Sequence, residues 1–525
     1  MRKGAAPWQG RLSGAGRHRA ADRLPAFAWW EVSAIVLVTG SLLFVRLDRY
    51  DFIADELYFI AAGQRPAVSY ADQGPATPLL AAFADQLAPG STVAVRLPAL
   101  LMTLAAIVLS ALIAREFGGA RGPQTLAALA YAVTPAAVTQ SAMLSTYALE
   151  ATLTALISWL LIRWVRTHSD YLLVLAGAVA ALDFQVKWLI PLVWAAFALG
   201  FALLGPRAVF RRPAWWLGSG LLAASAVPAV LWQHDNDWPQ VAMGAVVRDE
   251  QSAVAGLTAI PWEVALLTGP IGVLLLASLW AGFRSPRIQP YRFLIPVVVA
   301  GLAAIIGGGL RPYYVVSAFP GLFAAGAVYL AEVGVPRPIR TTGVVLTAAA
   351  TALCVTAVVA LPLPQSGMRQ PTDQYSQIDW RVRLYGPSGW NELVEGVDDA
   401  YRQVPAEQLP GLVLVTQNYW QAAALDHYGP PLGLPAVYSP NRGFAYFGAP
   451  PDTATTILYV GTDHPETALG LDFAETAELV RLDDRLGYPG VNRFVSVWKC
   501  RHPGTLWSAA WPGMRRLLVV DGTTH

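Results

Sequence analysis

The sequence predicts a polytopic α-helical membrane protein with about eleven transmembrane helices, followed by a C-terminal α/β domain outside the membrane. Hydrophobic residues make up 55% of the 525 residues and charged residues only 14%, whereas a soluble protein carries roughly 25% charged residues. Apolar runs long enough to cross the hydrocarbon core, about 20 residues each, recur through the middle of the chain. The net charge of +2 gives no indication of a nucleic-acid partner.

The composition divides the chain into a basic tail over residues 1–25, a membrane domain over 26–362 and a water-facing domain over 365–525. The apolar run after the tail is too long for a signal-peptide core and lacks a small-residue cleavage pattern, so we predict a cytoplasmic tail and an uncleaved first span. The predicted spans are 26–46, 93–114, 124–141, 146–165, 171–187, 189–205, 214–232, 262–283, 293–309, 313–332 and 341–362.

Arginine placement supports these spans and predicts their orientation. Every second connection is rich in arginine, whereas the opposite short connections nearly lack Lys and Arg. The arginines are Arg115, Arg121, Arg163, Arg166, Arg207, Arg211, Arg212, Arg284, Arg287, Arg292, Arg337 and Arg340. Since positive residues favour the cytoplasmic side, the N-terminus is predicted inside and, after an odd number of spans, the C-terminal domain outside.

Two long connections face the outer side, over residues 47–92 and 233–261, and the first contains two short predicted helices, Asp55–Gln64 and Pro78–Leu87. Such segments commonly lie along the membrane interface. Helices alternating with strands predict a small α/β domain in the tail. Its predicted elements are the helices Asn391–Val404 and Trp420–Tyr428 and the strands Gly411–Thr416, Ile457–Gly461 and Val495–Cys500.

Acidic residues mark the outer ends of two predicted spans. Asp55 and Glu56 follow the first span, and a carboxylate pair at the membrane edge is typical of a site that binds water, a cation or a proton. The alternative is a solvated helix N-terminus, where acidic residues interact favourably with the helix dipole. Glu150 begins the fourth span and is either functional or an interfacial carboxylate hydrogen-bonded to Ser145 or Thr146.

Three cations interrupt the arginine-poor outer side. Arg96 opens the second span, Lys187 ends the fifth, and Arg311 lies between the ninth and tenth. An anionic ligand at the outer membrane edge would explain all three. The alternative is that their long side chains extend to lipid headgroups.

A polar cluster follows the seventh span. His234, Asp235 and Asp237 could hold a divalent cation, and the alternative is a polar cap flanked by interfacial Trp232 and Trp238. Gly-rich phosphate loops, zinc-type Cys/His spacings and serine nucleophile elbows are absent from the sequence. Whether a metal is needed stays open.

The order of these motifs resembles bacterial glycosyltransferase family 39, whose members are similar to protein O-mannosyltransferases and the aminoarabinose lipid A transferase. The resemblance covers most of residues 30–515. The matching segments are Asp55-Glu56-Leu57-Tyr58, YADQGPATPLLAAF, VAVRLPALL with Arg96, STYALEATL with Glu150, FQVKWL with Lys187, LWQHDNDWP with His234 and Asp235, LRPYYVVSAFPGLFAAGAVYL with Arg311, Tyr313 and Tyr314, QNYWQAAALDHYG and LWSAAWPGM. The sequence departs from the family at Glu150, which is often Asp, and at Arg311, which is often Lys.

The resemblance implies a GT-C fold in the bacterial inner membrane and a polyprenyl-phosphate sugar as donor. It implies transfer, with inversion, to a hydroxyl of an extracytoplasmic glycan, glycolipid or protein. Because the leaving phosphate is already an anion, the reaction needs a base for the acceptor and cations for the phosphate. The implied base is Asp55, next to Glu56, and the implied phosphate ligands are Lys187 and Arg311, with Arg96 third. Glu150 would orient the acceptor or help to hold a cation.

Two other classes of protein remain open at this point. A lipid or sugar transporter or flippase would also need many spans and intramembrane charges, but transporters often have broken midplane helices and repeated halves, and the sequence shows neither. An outer-face sensor or scaffold would bind its ligand through the α/β domain, and Asp55 would not matter to it.

Overall fold

The computed structural model describes residues 24–254, 260–308, 311–519 and 523, so the predicted tail over 1–25 lies outside the described residues except for positions 24 and 25. The membrane part is helical. Its helices are α1 (Trp29–Phe44), α2 (Ala54–Gly63), α3 (Ala76–Leu87), α4 (Thr92–Glu116), α5 (Arg121–Ala132), α6 (Pro135–Ser141), α7 (Thr146–Thr167), α8 (Tyr171–Phe184), α9 (Ile190–Leu203), α10 (Pro213–Asp235), α11 (Pro239–Val254), α12 (Ile260–Thr268), α13 (Val273–Arg284), α14 (Ile295–Gly308), α15 (Phe319–Val333) and α16 (Arg337–Ala360).

Ten of the eleven predicted spans coincide with apolar helical segments. Seven segments in the described part of the chain are long and apolar enough to cross a membrane: Thr92–Glu116, Thr146–Thr167, Pro213–Asp235, Ile260–Arg284, Gln289–Gly307, Pro312–Val333 and Arg337–Ala360. Helices α1, α8 and α9 are apolar but shorter. The membrane character of the chain is therefore confirmed, while the number of eleven spans stays a prediction.

The remaining predicted span, 124–141, is divided into α5 and α6. Pro135 has no backbone N–H to continue a helix, and it forces Thr134 into an extended conformation; Thr134 has φ −79° and ψ 140°. The Thr134 hydroxyl then accepts a hydrogen bond from the Ala137 amide at 3.1 Å and begins the second helix. A hydropathy run does not reveal this break, because the residues on both sides of it are apolar.

Small residues allow close helix packing. A Cβ atom on Gly177 in α8 would lie 2.2 Å from the Cα atom of Gly218 in α10. Small residues at helix contacts let two backbones approach closely in a membrane, where apolar burial gives little driving force. Helices α8 and α10 are thereby packed against each other, and α8 leads directly into the loop that carries Lys187.

The arginine-rich connections meet at one end of the bundle. Arg166 at the end of α7 pairs with Glu116 at the end of α4 at 2.7 Å, and Arg287 donates to the Gly118 carbonyl at 3.3 Å. Residues 47–92, which we call the first loop, lie at the opposite end, and we call that end the first-loop end. Helices α2 and α3 confirm the two predicted loop helices to within two residues at each end.

The C-terminal part forms a five-stranded mixed sheet with strand order β2-β1-β3-β5-β4. Strands β1, β2 and β3 are parallel, and β5 pairs antiparallel with β3 and β4. Its elements are α17 (Tyr375–Tyr385), α18 (Trp390–Arg402), β1 (Val413–Thr416), α19 (Tyr419–Tyr428), β2 (Val437–Tyr438), β3 (Thr456–Gly461), α20 (Pro465–Leu469), β4 (Phe473–Leu482), β5 (Val495–Pro503) and α21 (Trp507–Met514). The predicted α/β class and all five predicted elements of this part are confirmed.

Strand β4 was not predicted from the sequence. In its sequence FAETAELVRL half of the residues are exposed and none is buried, and it is rich in Ala and Glu, which have low strand propensity. It forms an edge of the sheet and depends on pairing with β5, a partner that local sequence does not indicate.

The C-terminal part packs directly on the first loop. The Trp390 indole donates to the Phe52 carbonyl at 2.9 Å, and Arg65 pairs with Asp426 at 2.6 Å. One hydrophobic core includes residues of α2, α3, α18 and α19. This contact decides which C-terminal side chains reach the first-loop end of the bundle.

Candidate functional site

Glu56 and Arg96 form a fully buried ion pair, with both side chains 0% exposed. The Arg96 Nε donates to Glu56 Oε1 at 2.9 Å, and Nη2 donates to Oε2 at 2.7 Å. The remaining Arg96 hydrogens go to the carbonyls of Leu47, Tyr50 and Asp51 at 2.7–2.8 Å. All five N–H donors of this guanidinium are therefore engaged.

The two carboxylate oxygens of Glu56 likewise have all of their hydrogen-bond acceptor positions in use. Besides Arg96, its two oxygens accept the backbone amides of Ile53 at 3.0 Å and Leu144 at 2.9 Å. The catalytic role of Glu56 and the phosphate-binding role of Arg96 stay predictions, and this geometry favours a structural role for both, because neither side chain has a group left for a ligand. The pair instead fastens the start of α2 to α4 and to the loop before α7.

Asp55 lies on the adjacent, exposed side of α2. Its Oδ1 accepts a hydrogen bond of 2.7 Å from the Tyr419 hydroxyl, which comes from α19 of the C-terminal part. Burial raises the pKa of Tyr419, and the negative charge of Asp55 raises it further. Tyr419 therefore stays a hydrogen-bond donor and orients Asp55 without removing its exposure to solvent.

Tyr58 and Asp72 form a hydrogen-bonded pair in the site. The buried Tyr58 hydroxyl donates to Asp72 Oδ1 at 3.0 Å. Burial raises the pKa of Asp72, whereas the positive charges of Arg442 and Lys187 lower it and the charge of Asp55 raises it. Asp72 is thus close enough to all three of these groups to interact with their charges.

Glu250 holds two arginines together. Its side chain is 3% exposed, its Oε2 accepts from Arg311 Nη2 at 3.0 Å, and its Oε1 is in direct contact with Arg442 Nη2. Arg442 begins the 3₁₀ helix Arg442–Tyr446 of the C-terminal part, and its guanidinium lies 5.2 Å from the centre of the Tyr419 ring. The predicted cation Arg311 is therefore brought to the same place as Asp55 through Glu250, Arg442 and Tyr419.

Lys187 is a further cation of the site, besides Arg311 and Arg442. It follows α8 in a turn, and its ammonium lies 3.5 Å from the Thr146 hydroxyl and 5.5 Å from the centre of the Tyr314 ring. Tyr313 packs against Tyr314 and Tyr147, with both ring-centre distances at 4.7 Å. The predicted residues Tyr313 and Tyr314 thus connect the neighbourhoods of Lys187 and Arg311.

Glu150 lies inside α7 and is 2% exposed. Its charge interacts with that of Lys187 and with that of Asp183 in α8. Asp183 Oδ2 accepts from the Thr154 hydroxyl at 3.3 Å, while its Oδ1 has no hydrogen-bond partner among the described residues. Glu150 and Asp183 are thus two neighbouring buried carboxylates, and Glu150 interacts with the charge of Lys187.

The predicted candidates His234 and Asp235 lie outside this arrangement. They contact each other at 3.1 Å with side chains 72% and 74% exposed. The contact between the end of α10 and the first loop is made instead by the buried Gln233, whose side-chain amide donates a hydrogen bond to the Tyr70 carbonyl at 2.9 Å. In the part of the chain that the structure describes, no group of three or more His, Cys, Asp or Glu side chains could hold a metal ion.

Sequence reasoning missed five residues of the site: Asp72, Asp183, Glu250, Tyr419 and Arg442. Asp183 lies four residues before Lys187, so a stricter search for acidic residues near span ends finds it. Glu250 lies in the middle of the predicted connection 233–261 and has no such signal. Asp72 lies within YADQGPATP. Nothing in the sequence connects Tyr419 or Arg442 with Asp55, since more than 350 residues separate them.

Comparisons with known proteins show which family and which fold this chain resembles. The family model of dolichyl-phosphate-mannose-protein mannosyltransferase matches residues 72–232, which include Asp72, Glu150, Asp183 and Lys187. No curated protein matches the chain in sequence.

Solved structures match over almost the whole chain. The crystal structure of ArnT from Cupriavidus metallidurans bound to undecaprenyl phosphate has a TM-score of 0.58 at 15% identity, and it covers 90% of this chain and 98% of ArnT. The structure of ArnT in the apo state has a TM-score of 0.57 at 15% identity and covers 89% and 97%. A segment of the chain thus matches the mannosyltransferase family and the chain as a whole has the GT-C fold of ArnT, which confirms the predicted resemblance to these membrane glycosyltransferases.

Proposed function

We propose that this chain transfers a sugar from a polyprenyl-phosphate donor to a hydroxyl group of an acceptor at the first-loop end of the bundle. The observation that carries the proposal is the convergence of the exposed carboxylate of Asp55 with Lys187, Arg311 and Arg442. These residues come together at one end of a fold shared with ArnT, whose structure was solved with undecaprenyl phosphate bound.

The chemistry needs one base and several cations. Asp55 takes the proton of the acceptor hydroxyl while the acceptor oxygen bonds to the anomeric carbon of the sugar. The bond from that carbon to the phosphate oxygen breaks, and its electron pair leaves with the polyprenyl phosphate. Lys187 and Arg311 stabilise the charge that develops on the phosphate. A single displacement of this kind inverts the configuration at the anomeric carbon.

The membrane arrangement follows from the same reaction. The polyprenyl tail needs an apolar environment among the helices, and the acceptor needs water, so the site belongs at a membrane surface. We infer that residues 26–362 form the membrane domain and that the first-loop end faces the outside of the bacterial inner membrane, because the arginine-rich connections meet at the opposite end. The N-terminus would then be cytoplasmic. Residues 365–525 would form an extracytoplasmic domain that approaches a glycan, glycolipid or protein acceptor.

The test is release of free polyprenyl phosphate by the purified full chain, supplied with a panel of polyprenyl-phosphate sugars and a membrane-glycan extract. Asp55→Asn should lower the release at least about 100-fold, because a positioned general base contributes roughly 10²–10⁴-fold. The variant should fold and bind undecaprenyl phosphate like the wild type, since Asn still accepts the hydrogen bond from Tyr419.

Asp48→Asn is the matched control, because Asp48 is an exposed carboxylate of the same loop. Release by the wild type and by Asp48→Asn, but not by Asp55→Asn, supports the proposal and names the sugar. Release by none of them from any donor, with folded protein, rejects a transferase in favour of transport. Equal release by all three rejects Asp55 as the base.

A further inference from the structure

Glu250 is an anion held between two arginines from distant parts of the chain. Arg311 lies between the membrane helices and Arg442 lies in the C-terminal part, yet both guanidinium groups contact the one buried carboxylate. Arginine binds carboxylate and phosphate through the same planar arrangement of N–H donors. A place where two arginines hold one carboxylate is therefore also a place where they can hold a phosphate.

Arg442 is positioned by close packing at the junction with the first loop. A Cβ atom on the next residue, Gly443, would lie 1.6 Å from the Tyr58 hydroxyl, so only glycine lets the chain come this near to Tyr58. The Arg442 side chain is 14% exposed, and its Nε has no hydrogen-bond partner among the described residues. Unlike Arg96, it has a donor that the described protein leaves unpaired.

We propose that Arg442, supplied by the C-terminal domain, binds the phosphate of the lipid donor together with Arg311, and that this phosphate displaces the Glu250 carboxylate. The inference rests on the proposed function and adds to it that the donor site is composite. Without donor, Glu250 neutralises the two arginines. With donor, the phosphate takes over both contacts, next to the Tyr419 that orients Asp55. The C-terminal domain is then part of the donor site as well as a route to the acceptor.

The test measures binding of undecaprenyl phosphate, with undecaprenol as the probe that lacks the phosphate, to the full chain in detergent micelles. Arg442→Gln should weaken binding of undecaprenyl phosphate at least about tenfold, because charge-assisted hydrogen bonds are lost, and should leave undecaprenol binding unchanged. Glu250 keeps Arg311 as its partner in this variant, so no buried carboxylate is orphaned. Arg402→Gln is the matched control, since Arg402 is an exposed arginine of the C-terminal part whose charge is paired with Asp398 at 2.8 Å.

Glu250→Gln separates ligand binding from a structural role. Displacement predicts that this variant binds undecaprenyl phosphate about three- to tenfold more tightly than the wild type, because the competing carboxylate is gone. The double variant Arg442→Gln/Glu250→Gln should lose that gain. A purely structural ion pair predicts that both single variants weaken binding together, and this result would overturn the inference.

Two further outcomes are decisive. If the wild type prefers undecaprenyl phosphate over undecaprenol and Arg442→Gln binds it equally well, the composite site is rejected while the proposed function stands. If the wild type shows no preference for the phosphate, the proposed function fails and the inference fails with it.

Discussion

Arg96 and Arg442 are two arginines of the first-loop end with opposite surroundings. Arg96 is fully buried, is bidentate with Glu56 and uses every remaining N–H on backbone carbonyls. Arg442 shares a single carboxylate with Arg311 and has an unpartnered Nε within the described structure. Both are positive charges at the same end of the bundle, so charge alone does not separate them.

Arg96 and Arg442 therefore differ in how completely the protein itself satisfies their hydrogen-bond donors. A buried guanidinium needs all of its donors satisfied, because an unpaired buried charge is costly. When the protein itself satisfies them, as at Arg96, the residue stabilises the fold. When they are satisfied only in part, as at Arg442, a ligand can supply the rest.

The largest expected effect concerns the Glu56–Arg96 ion pair, in which the protein satisfies every donor of the arginine. Glu56→Gln leaves the Arg96 charge buried without its counter-ion, and breaking a buried pair costs about 3–5 kcal/mol. We expect a clearly lower melting temperature of the purified protein. Glu407→Gln, at an exposed position of the C-terminal part, is the control and should melt like the wild type.

The opposite result would contradict the structural role of the Glu56–Arg96 pair. If Glu56→Gln melts with Glu407→Gln but loses turnover, then Glu56 acts in the reaction and saturation does not identify structural residues. Reduced turnover in proportion to the reduced amount of folded protein agrees with the structural role.

The next largest effect concerns Lys187, a cation that we propose contacts the phosphate of the donor. Lys187→Met should weaken binding of undecaprenyl phosphate about tenfold, because one charge-assisted contact to the phosphate is lost. We expect a much smaller change in melting temperature than for Glu56→Gln. Lys499→Met replaces a half-buried lysine of β5 and should bind like the wild type. Unchanged affinity in Lys187→Met would remove Lys187 from the phosphate site.

The smallest expected effect concerns the ionisation of Asp72. Burial raises the pKa of Asp72, so its ionised form costs folding free energy that grows as the pH rises from the unfolded pKa through the folded pKa. Asp72→Asn cannot ionise and should therefore melt about 2–4 °C above the wild type at neutral pH. The difference should shrink as the pH falls toward the ordinary pKa of an aspartate.

Melting curves measured between pH 5 and pH 8 check this sign. Asp399→Asn replaces an exposed carboxylate and should show no such trend. If Asp72→Asn instead melts below the wild type at neutral pH, and this gap closes as the pH falls, then the surrounding cations stabilise ionised Asp72 more than burial destabilises it.

Much of the fold was predictable, because it depends on local patterns. Apolar runs located the helices of the membrane part, and the alternation of strands and helices predicted the α/β class of the C-terminal part. The break at Thr134 and the edge strand β4 were missed. The first depends on one proline within a continuous apolar run, and the second on pairing with β5.

The candidate site was predictable only where chemistry is visible in one segment. Asp55, Glu150, Lys187 and Arg311 are unusual for the membrane edge, and the structure brings them close together. Glu56 and Arg96 looked equally unusual, but their mutual pairing is invisible in the sequence. His234 and Asp235 were chosen for their spacing, and the end of α10 turns them toward solvent.

The membrane character of the chain, and the charges near the ends of its helices, can be read from short segments, because hydropathy and charge are local properties. Which of these charges the protein itself satisfies depends on contacts between distant segments. The tertiary structure also decided that Tyr419 and Arg442 reach Asp55. Their approach depends on the packing of the C-terminal domain against α2, where Gly443 meets Tyr58, and contacts between residues so far apart in sequence leave no local signal.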